Sequence, residues 1–298
     1  MPAETVEASL DEFLIYVNEA RHLSAGTKDQ YRRGVELAKK AWGPLPRRGL
    51  RPSHIVAMMD CMKDKPGAAN NFLGAMRAWQ TWALRRDHIE INLTKGVSPY
   101  PSKNGHRPWT PAQEQAAKAK LKGMVRRGVV FLMYTGMRGS DAVRMGWANL
   151  DEGGLNYTSR KTGREVYCPI VPELQEEMAT WPNDGGLFLY QDGGRAHGRP
   201  YTRKLFSKHF NEARKHIPEL ADVTLHGLRC TAVVRLRRAG LTVAQIEDIV
   251  GLSMAMVARY SRFADKKVSG HAALETYKKA LAEGHCKTLQ NSANDSEE

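Results

Sequence analysis

The stretch from Thr224 to Phe263, TLHGLRCTAVVRLRRAGLTVAQIEDIVGLSMAMVARYSRF, constrains this chain more than any other. Its punctuation predicts three consecutive helices. Thr224 is a candidate N-cap for a helix running through Val233, Val234 and Leu236. Thr242 and Gln245 stand in capping-box spacing ahead of Ile246, Ile249 and Val250, and Gly251 reads as the stop. A third, short helix carries Met256, Val257 and Tyr260. The first of the three opens with His226 and Arg229, which lie three residues apart and therefore on one face. Near a helix N-terminus the backbone amides are unpaired and the dipole is positive, so an imidazole and a guanidinium there can converge on a phosphate. Alone, neither signal is specific: an H-x-x-R pair is loose, and a Tyr at helical spacing among Met and Val is more often a core aromatic.

Charge narrows the field. Lys plus Arg number 45 against 32 Asp plus Glu, a formal charge of +13 with a pI near 9.6. A chain this basic points to a polyanionic partner, with nucleic acid first, against the plainer reading of a merely basic surface. The four cysteines, Cys61, Cys168, Cys230 and Cys286, show no C-x-x-C spacing, so neither a zinc knuckle nor a disulfide framework is indicated. The opening MPAETVEASLDEF has no hydrophobic signal core, and no apolar run approaches the roughly 18 residues that would span a bilayer. A cytoplasmic protein without membrane contact is expected.

Residues 5 to about 95 read as helical. Leu10, Phe13, Leu14 and Val17 form one stripe. Ser24 or Thr27 can cap a second helix that stops at the GPLP of residues 43–46, and two further helices follow, one after Pro52 and one around Phe72, Met76 and Trp79. Lys28, Arg32, Arg33, Lys39, Lys40, Arg47, Arg48, Arg51, Arg77, Arg85 and Arg86 decorate these helices. A solvated face is the default for each, and the net charge suggests phosphate contact for several. Residues 96–110 are rich in Pro, Gly and basic residues, a linker texture.

Beyond it, a helix from Pro111 precedes an apolar helix that breaks at Thr135-Gly136. Arg138 follows at once, held by short backbone, and Asp141 can either pair with it or cap the helix starting near Ser140. Residues 155–171 read as a β-hairpin whose turn carries Lys161. A helix around Leu205, Phe206 and Phe210 leads into the opening stretch, and 269–284 reads as a last helix. The polar end, 284–298, is expected to be disordered. The whole is mainly α with a small β-sheet in its second half, an α+β chain.

In order, T-G-M-R-G-S-D, K-T-G in a hairpin, H-G-L-R and a tyrosine 31 residues after Arg229 resemble the tyrosine recombinase, or phage integrase, family. The resemblance implies a helical core-binding (SAM-like) DNA-binding domain at 1–95, a linker at 96–110 and a catalytic domain at 111–283. It implies Arg138, Lys161, His226, Arg229 and Tyr260 as catalytic residues, with Asp141 in support. Tyr260 would be the nucleophile that forms a 3′-phosphotyrosine, Lys161 the acid for the leaving 5′-hydroxyl, and the arginines the phosphate clamp. No metal, ATP or other cofactor is implied. The family's final catalytic His or Trp has no match: Gly251-Leu252-Ser253 puts Leu252 in its place. The implied function is site-specific recombination, the integration or excision of a phage or mobile element. The implied partners are double-stranded DNA attachment sites, a homotetramer on synapsed DNA, and a directionality factor or DNA-bending host protein. A type IB topoisomerase-like enzyme and a DNA-binding regulator with weakened catalysis are the alternatives.

Overall fold

Side-chain caps and N-terminal prolines start the helices of the first unit, residues 1–105. Thr5 Oγ1 accepts the Ala8 N–H at the start of α1 (Val6–Glu19), and Ser24 Oγ accepts the Thr27 N–H at the start of α2 (Ala25–Trp42). Pro52 opens α3 (Pro52–Cys61) and Pro66 opens α4 (Pro66–Leu84), where a missing N–H costs nothing. Phe13, Trp42, Phe72 and Trp79 meet in the core of this unit. Gly34 lets α2 lie directly on α4, since a Cβ there would sit 2.4 Å from that of Ala75. Buried Ser9 is fully used: its Oγ accepts from Trp79 Nε1 at 3.1 Å and can donate to His88 Nδ1 at 2.9 Å.

Many of the cations on this unit already hold partners. Arg32 and Arg33 pair with Asp29, Lys39 with Glu7 and Asp11, Arg47 with Glu4, and Arg48 with Glu90. Exposed pairs of this kind are worth only about 0–1 kcal/mol, so a phosphate could compete for them. Lys40 and Arg85 are exposed without a hydrogen-bond or ion-pair partner among the described residues.

The structure is a computed structural model and describes residues 4–101, 105–183, 185–264, 270–271 and 273–281. The polar end expected at 284–298 lies outside the described residues. Of the last-helix expectation, 270–271 and 273–281 are helical, with Tyr277 62% exposed. Among the described residues no helix is long and apolar enough to cross a membrane.

In the second unit, residues 106–298, α6 (Gly123–Thr135) is the central element. Val129, Phe131, Leu132 and Met133 are all buried, and α9 (Arg203–Arg214) closes on α6 at Gly128, where a Cβ would strike the Phe206 ring at 2.3 Å. Around it stand α5 (Pro111–Lys120), α7 (Gly139–Ala142), α8 (Pro172–Ala179), α10 (Leu225–Arg238), α11 (Val243–Val250) and α12 (Met254–Ser261). A three-stranded antiparallel sheet, in order β1 (Leu150–Asp151), β2 (Gly154–Thr158), β3 (Glu165–Pro169), completes the unit. The expected hairpin pairs Leu155 with Cys168 and Tyr157 with Val166, which turns Leu155, Tyr157, Val166 and Cys168 inward. The α+β expectation, mainly helical with a small sheet, holds.

Two glycines define the frame of the site. Gly136 ends α6 with φ +60° and Gly251 ends α11 with φ +63°, both in the left-handed region that β-carbons disfavour. Neither has room for a side chain: a Cβ would come 2.8 Å from Ala232 at Gly136 and 2.8 Å from Val166 at Gly251. Their carbonyls are thereby turned toward a common neighbour.

Candidate active site

That neighbour is Arg229. It lies on the second turn of α10, whose first turn is capped by Thr224 Oγ1 accepting the Gly227 N–H at 3.1 Å. Its side chain is 2% exposed, and its two terminal nitrogens donate to Gly136 O at 2.7 Å and Gly251 O at 3.1 Å. A planar fork is needed to bridge two carbonyls in this way, and lysine has none. Nε of Arg229 is buried without a partner. Burial, and then the nearby Arg138 charge, bring the guanidinium down to about 10, so it remains a cation at neutral pH.

One turn earlier, His226 Nε2 lies 3.0 Å from the Tyr260 hydroxyl. The phenol donates and the imidazole accepts when the proton of a neutral His226 sits on Nδ1. Tyr260 is 5% exposed in a cluster with Cys230, Val233, Ile246, Val250, Leu252 and Val257. Burial raises its pKa above the ordinary phenol range. His226 moves the other way, down to about 4, chiefly through burial and then through His106, Arg229, Arg203 and Arg138. In the free protein both shifts favour the neutral pair over transfer of the proton from phenol to imidazole. An anion placed among these cations would favour the imidazolium and reverse that bias.

Arg138 occupies the N-cap position of α7, but its side chain makes no cap bond. Its Nη1 donates to Ser159 Oγ at 2.9 Å, and Ser159 in turn donates to Asp141 Oδ2 at 3.3 Å. Asp141, fully buried, also accepts the Arg160 N–H at 3.0 Å. Both options left open for Asp141 give way to a third: it fastens the end of β2, and Ser159 carries its influence to Arg138. Lys161 stands apart in the β2–β3 turn. It is exposed and has no bond or ion pair to any of the other five residues among the described residues.

Leu252 faces away from any donor role. It is 4% exposed inside the α10–α12 cluster, and only its carbonyl is engaged, by Arg164 Nη1 at 3.1 Å. Ser253 and Arg259, the nearest polar candidates in sequence, are exposed, and Ser253 makes no cap bond. Four residues that the sequence did not single out adjoin these side chains: Ser159, Tyr157, His106 and Arg203. Tyr157, buried beside Cys168, Arg229 and Asp141, is raised well beyond the ordinary phenol range, so it is no acid–base group near neutrality. Arg203 had a signal: it follows the cap residue Thr202 on a first turn of α9 that holds no acidic residue, an unfavourable place for a cation unless an anion arrives.

The arrangement presents a phenol, an imidazole accepting from it, and guanidinium groups around them: the parts needed to bind a phosphate ester and attack it. Comparison with known proteins agrees with that chemistry. Residues 110–267 match the Phage integrase family. The putative integrase/recombinase y4qK of Sinorhizobium fredii is 26% identical over 261 residues, 84% of this chain and 83% of that protein. Tyrosine recombinase XerC of Azotobacter vinelandii is 24% identical over 274 residues, 83% of this chain and 88% of that protein. In fold, the chain is similar to a lambda integrase tetramer bound to a Holliday junction (TM-score 0.75, 18% identity, 89% of this chain and 78% of that one). It is also similar to the Tn1549 transposon integrase in complex with transposon right end DNA (TM-score 0.66, 19% identity, 92% of this chain and 99% of that one).

Proposed function

The chain belongs to the phage integrase family, and from that premise we propose that it is a site-specific DNA recombinase that cleaves and rejoins DNA through a tyrosine of its own. The observation that carries this reading is the 3.0 Å contact between His226 Nε2 and the Tyr260 hydroxyl, next to the buried Arg229. Tyr260 Oη attacks a backbone phosphorus, its proton passes to His226, and the bond to the 5′ oxygen breaks. The product is a 3′-phosphotyrosine and a free 5′-hydroxyl, whose proton comes from Lys161. The phosphoester bond is conserved throughout, so religation needs no nucleotide.

Charge does most of the remaining work. Attack places extra negative charge on the non-bridging oxygens, and Arg138 and Arg229 are prepositioned to answer it. Arg229 is held by carbonyls on its terminal nitrogens and has its Nε unengaged, while Arg138 is steered by Ser159. The DNA phosphate is also the anion that lifts His226 out of its depressed state.

The lambda tetramer on a Holliday junction and the DNA-bound Tn1549 integrase support double-stranded DNA and a homotetramer as partners of this chain. The recombinases and integrases among its relatives favour strand exchange over topoisomerase-like relaxation or mere regulation. Residues 1–95 are the DNA-binding domain, 96–110 the linker and 111–283 the catalytic domain in this reading, with integration or excision of a mobile element as the role.

A nicked suicide duplex, from which the strand 3′ of the cleavage point is lost on cutting, tests the proposal directly. Duplexes built from the genomic flanks of the gene are expected to yield a covalent adduct with the wild-type chain and none with Tyr260→Phe, which should still bind. An adduct that persists in Tyr260→Phe, for example through the exposed Tyr277, would refute the assignment.

A further inference from the structure

His106 has no part in the cleavage scheme above, yet the fold brings its exposed ring against His226 at the edge of the site. The segment 106–110 crosses the first turn of α10 in close contact. Trp109 is 4% exposed, its Nε1 donates to Thr224 O at 2.9 Å, and its N–H donates to Thr231 Oγ1 at 2.7 Å. Gly227 is what permits the approach, since a Cβ there would lie 2.7 Å from the Arg107 carbonyl and 3.0 Å from the Trp109 ring. Fastened in this way, the segment sets the His106 ring 4.4 Å from that of His226, the planes inclined at 59°. His106 Nδ1 lies 2.9 Å from Thr224 Oγ1, the same oxygen that accepts the Gly227 N–H. A hydroxyl can accept one bond and donate another, so Thr224 can satisfy the helix cap and His106 together.

His226 therefore has a neighbour on each side: the Tyr260 hydroxyl on Nε2 and the His106 ring on its face. Tilted rings at this distance pack against each other. An imidazole on the first turn of a helix has more than one staggered rotamer, and the one adopted here points Nε2 at Tyr260. Contact with the His106 ring restricts rotation of His226 on that side. Leu252 offers no hydrogen bond to the site, so the aim of this one imidazole matters more.

We propose that His106 is a positioning residue for DNA cleavage: anchored to Thr224 and packed on His226, it holds that imidazole as the proton acceptor for Tyr260. The inference rests on the assignment of Tyr260 and His226 made above. It extends the working site to the residue that opens the second unit.

Single-turnover cleavage of the nicked suicide duplex by the full chain tests it. His106→Ala is expected to slow adduct formation by about ten- to a hundredfold, the scale of a misplaced catalytic group, while binding the duplex within about twofold of wild type. The same change made in a His226→Gln background is expected to add nothing, because its effect passes through His226. Should His106→Ala unfold at the assay temperature, His106→Gln, which keeps a polar group for Thr224 but no ring, is judged by the same two criteria. Wild-type rates in the single variant, or equal slowing in both backgrounds, would overturn the inference while leaving the cleavage reading intact. A wild-type chain that forms no adduct would overturn both.

Discussion

Arg164 Nη1 lies 2.7 Å from Glu247 Oε1 and 3.1 Å from the Leu252 carbonyl, so the turn that carries Lys161 is tied to the end of α11. The Arg164 side chain is 51% exposed, and such a pair adds only about 0–1 kcal/mol to stability. Its consequence is geometric. Among the described residues Lys161 has no anchor of its own, and Arg164, three residues on, fixes the loop from which it reaches. Glu247→Gln should therefore slow cleavage of an ordinary duplex by up to about tenfold, within the range of a general-acid contribution. A duplex with a 5′-bridging sulfur, whose thiolate leaves without protonation, should be cleaved at nearly the wild-type rate. Equal slowing on both substrates would place the effect away from Lys161.

The two arginines should separate under conservative substitution. Arg138→Lys and Arg229→Lys each lose a planar fork and should each slow cleavage by roughly 10²–10³-fold, by analogy with loss of an oxyanion-hole donor. Only Arg229→Lys should also lose stability, by about 1–3 kcal/mol, because one of the Gly136 and Gly251 carbonyls is left buried and unpaired. Denaturant melts beside single-turnover rates measure both. An Arg229→Lys protein of normal stability would show that the two carbonyls find other donors.

Which of these relationships could be read from the chain follows from their range. Thr224, Thr242, Gly136 and Gly251 announce helix ends through local backbone chemistry, and the order of Arg138, Lys161, His226, Arg229 and Tyr260 is itself a one-dimensional signal. The supporting contacts are not local. His106 meets Thr224 across 118 positions and Arg229 meets Gly136 across 93, and no periodicity encodes such pairs. Ser159 sits at the end of β2 next to the Lys161 turn, and only the folded hairpin puts it between Arg138 and Asp141. β1, two residues long, is too short for alternation to show. Helix α8 did carry a signal, Pro172 ahead of Leu174 and Met178 at a four-residue interval, both buried.

Acid should weaken the fold through the same imidazole. The folded-state pKa of His226 is depressed to about 4, below its ordinary value of 6.5, so between these values the unfolded chain binds the extra proton. The contribution is fully present above about pH 6.5 and is lost as pH falls toward 4. His88 and His106, both lowered first by burial, act with the same sign. The thermal midpoint should fall across this window, and His226→Gln should flatten part of the slope without removing it. An unchanged slope in His226→Gln would mean that His226 is not held neutral in the fold.

Leu252 offers the sharpest test of how the site manages without the family's last donor. Leu252→His would restore the residue type that the resemblance expects. If a donor were simply missing, cleavage could rise by up to tenfold, equivalent to about 1.4 kcal/mol of barrier. The packing argues otherwise. Leu252 is 4% exposed, in one cluster with Val250, Val257 and Tyr260, and Arg164 holds its backbone. A histidine there forfeits apolar burial worth about 1.5–3 kcal/mol and leaves an imidazole in search of partners. Leu252→His should therefore lower stability by about 2–4 kcal/mol and bring no gain in rate. Leu252→Ala provides the control, since it removes the same packing without adding a polar ring. A clear rise in single-turnover cleavage by Leu252→His alone, with its melting curve unchanged, would show that the position is vacant in function and that His106 and His226 do not between them complete the site.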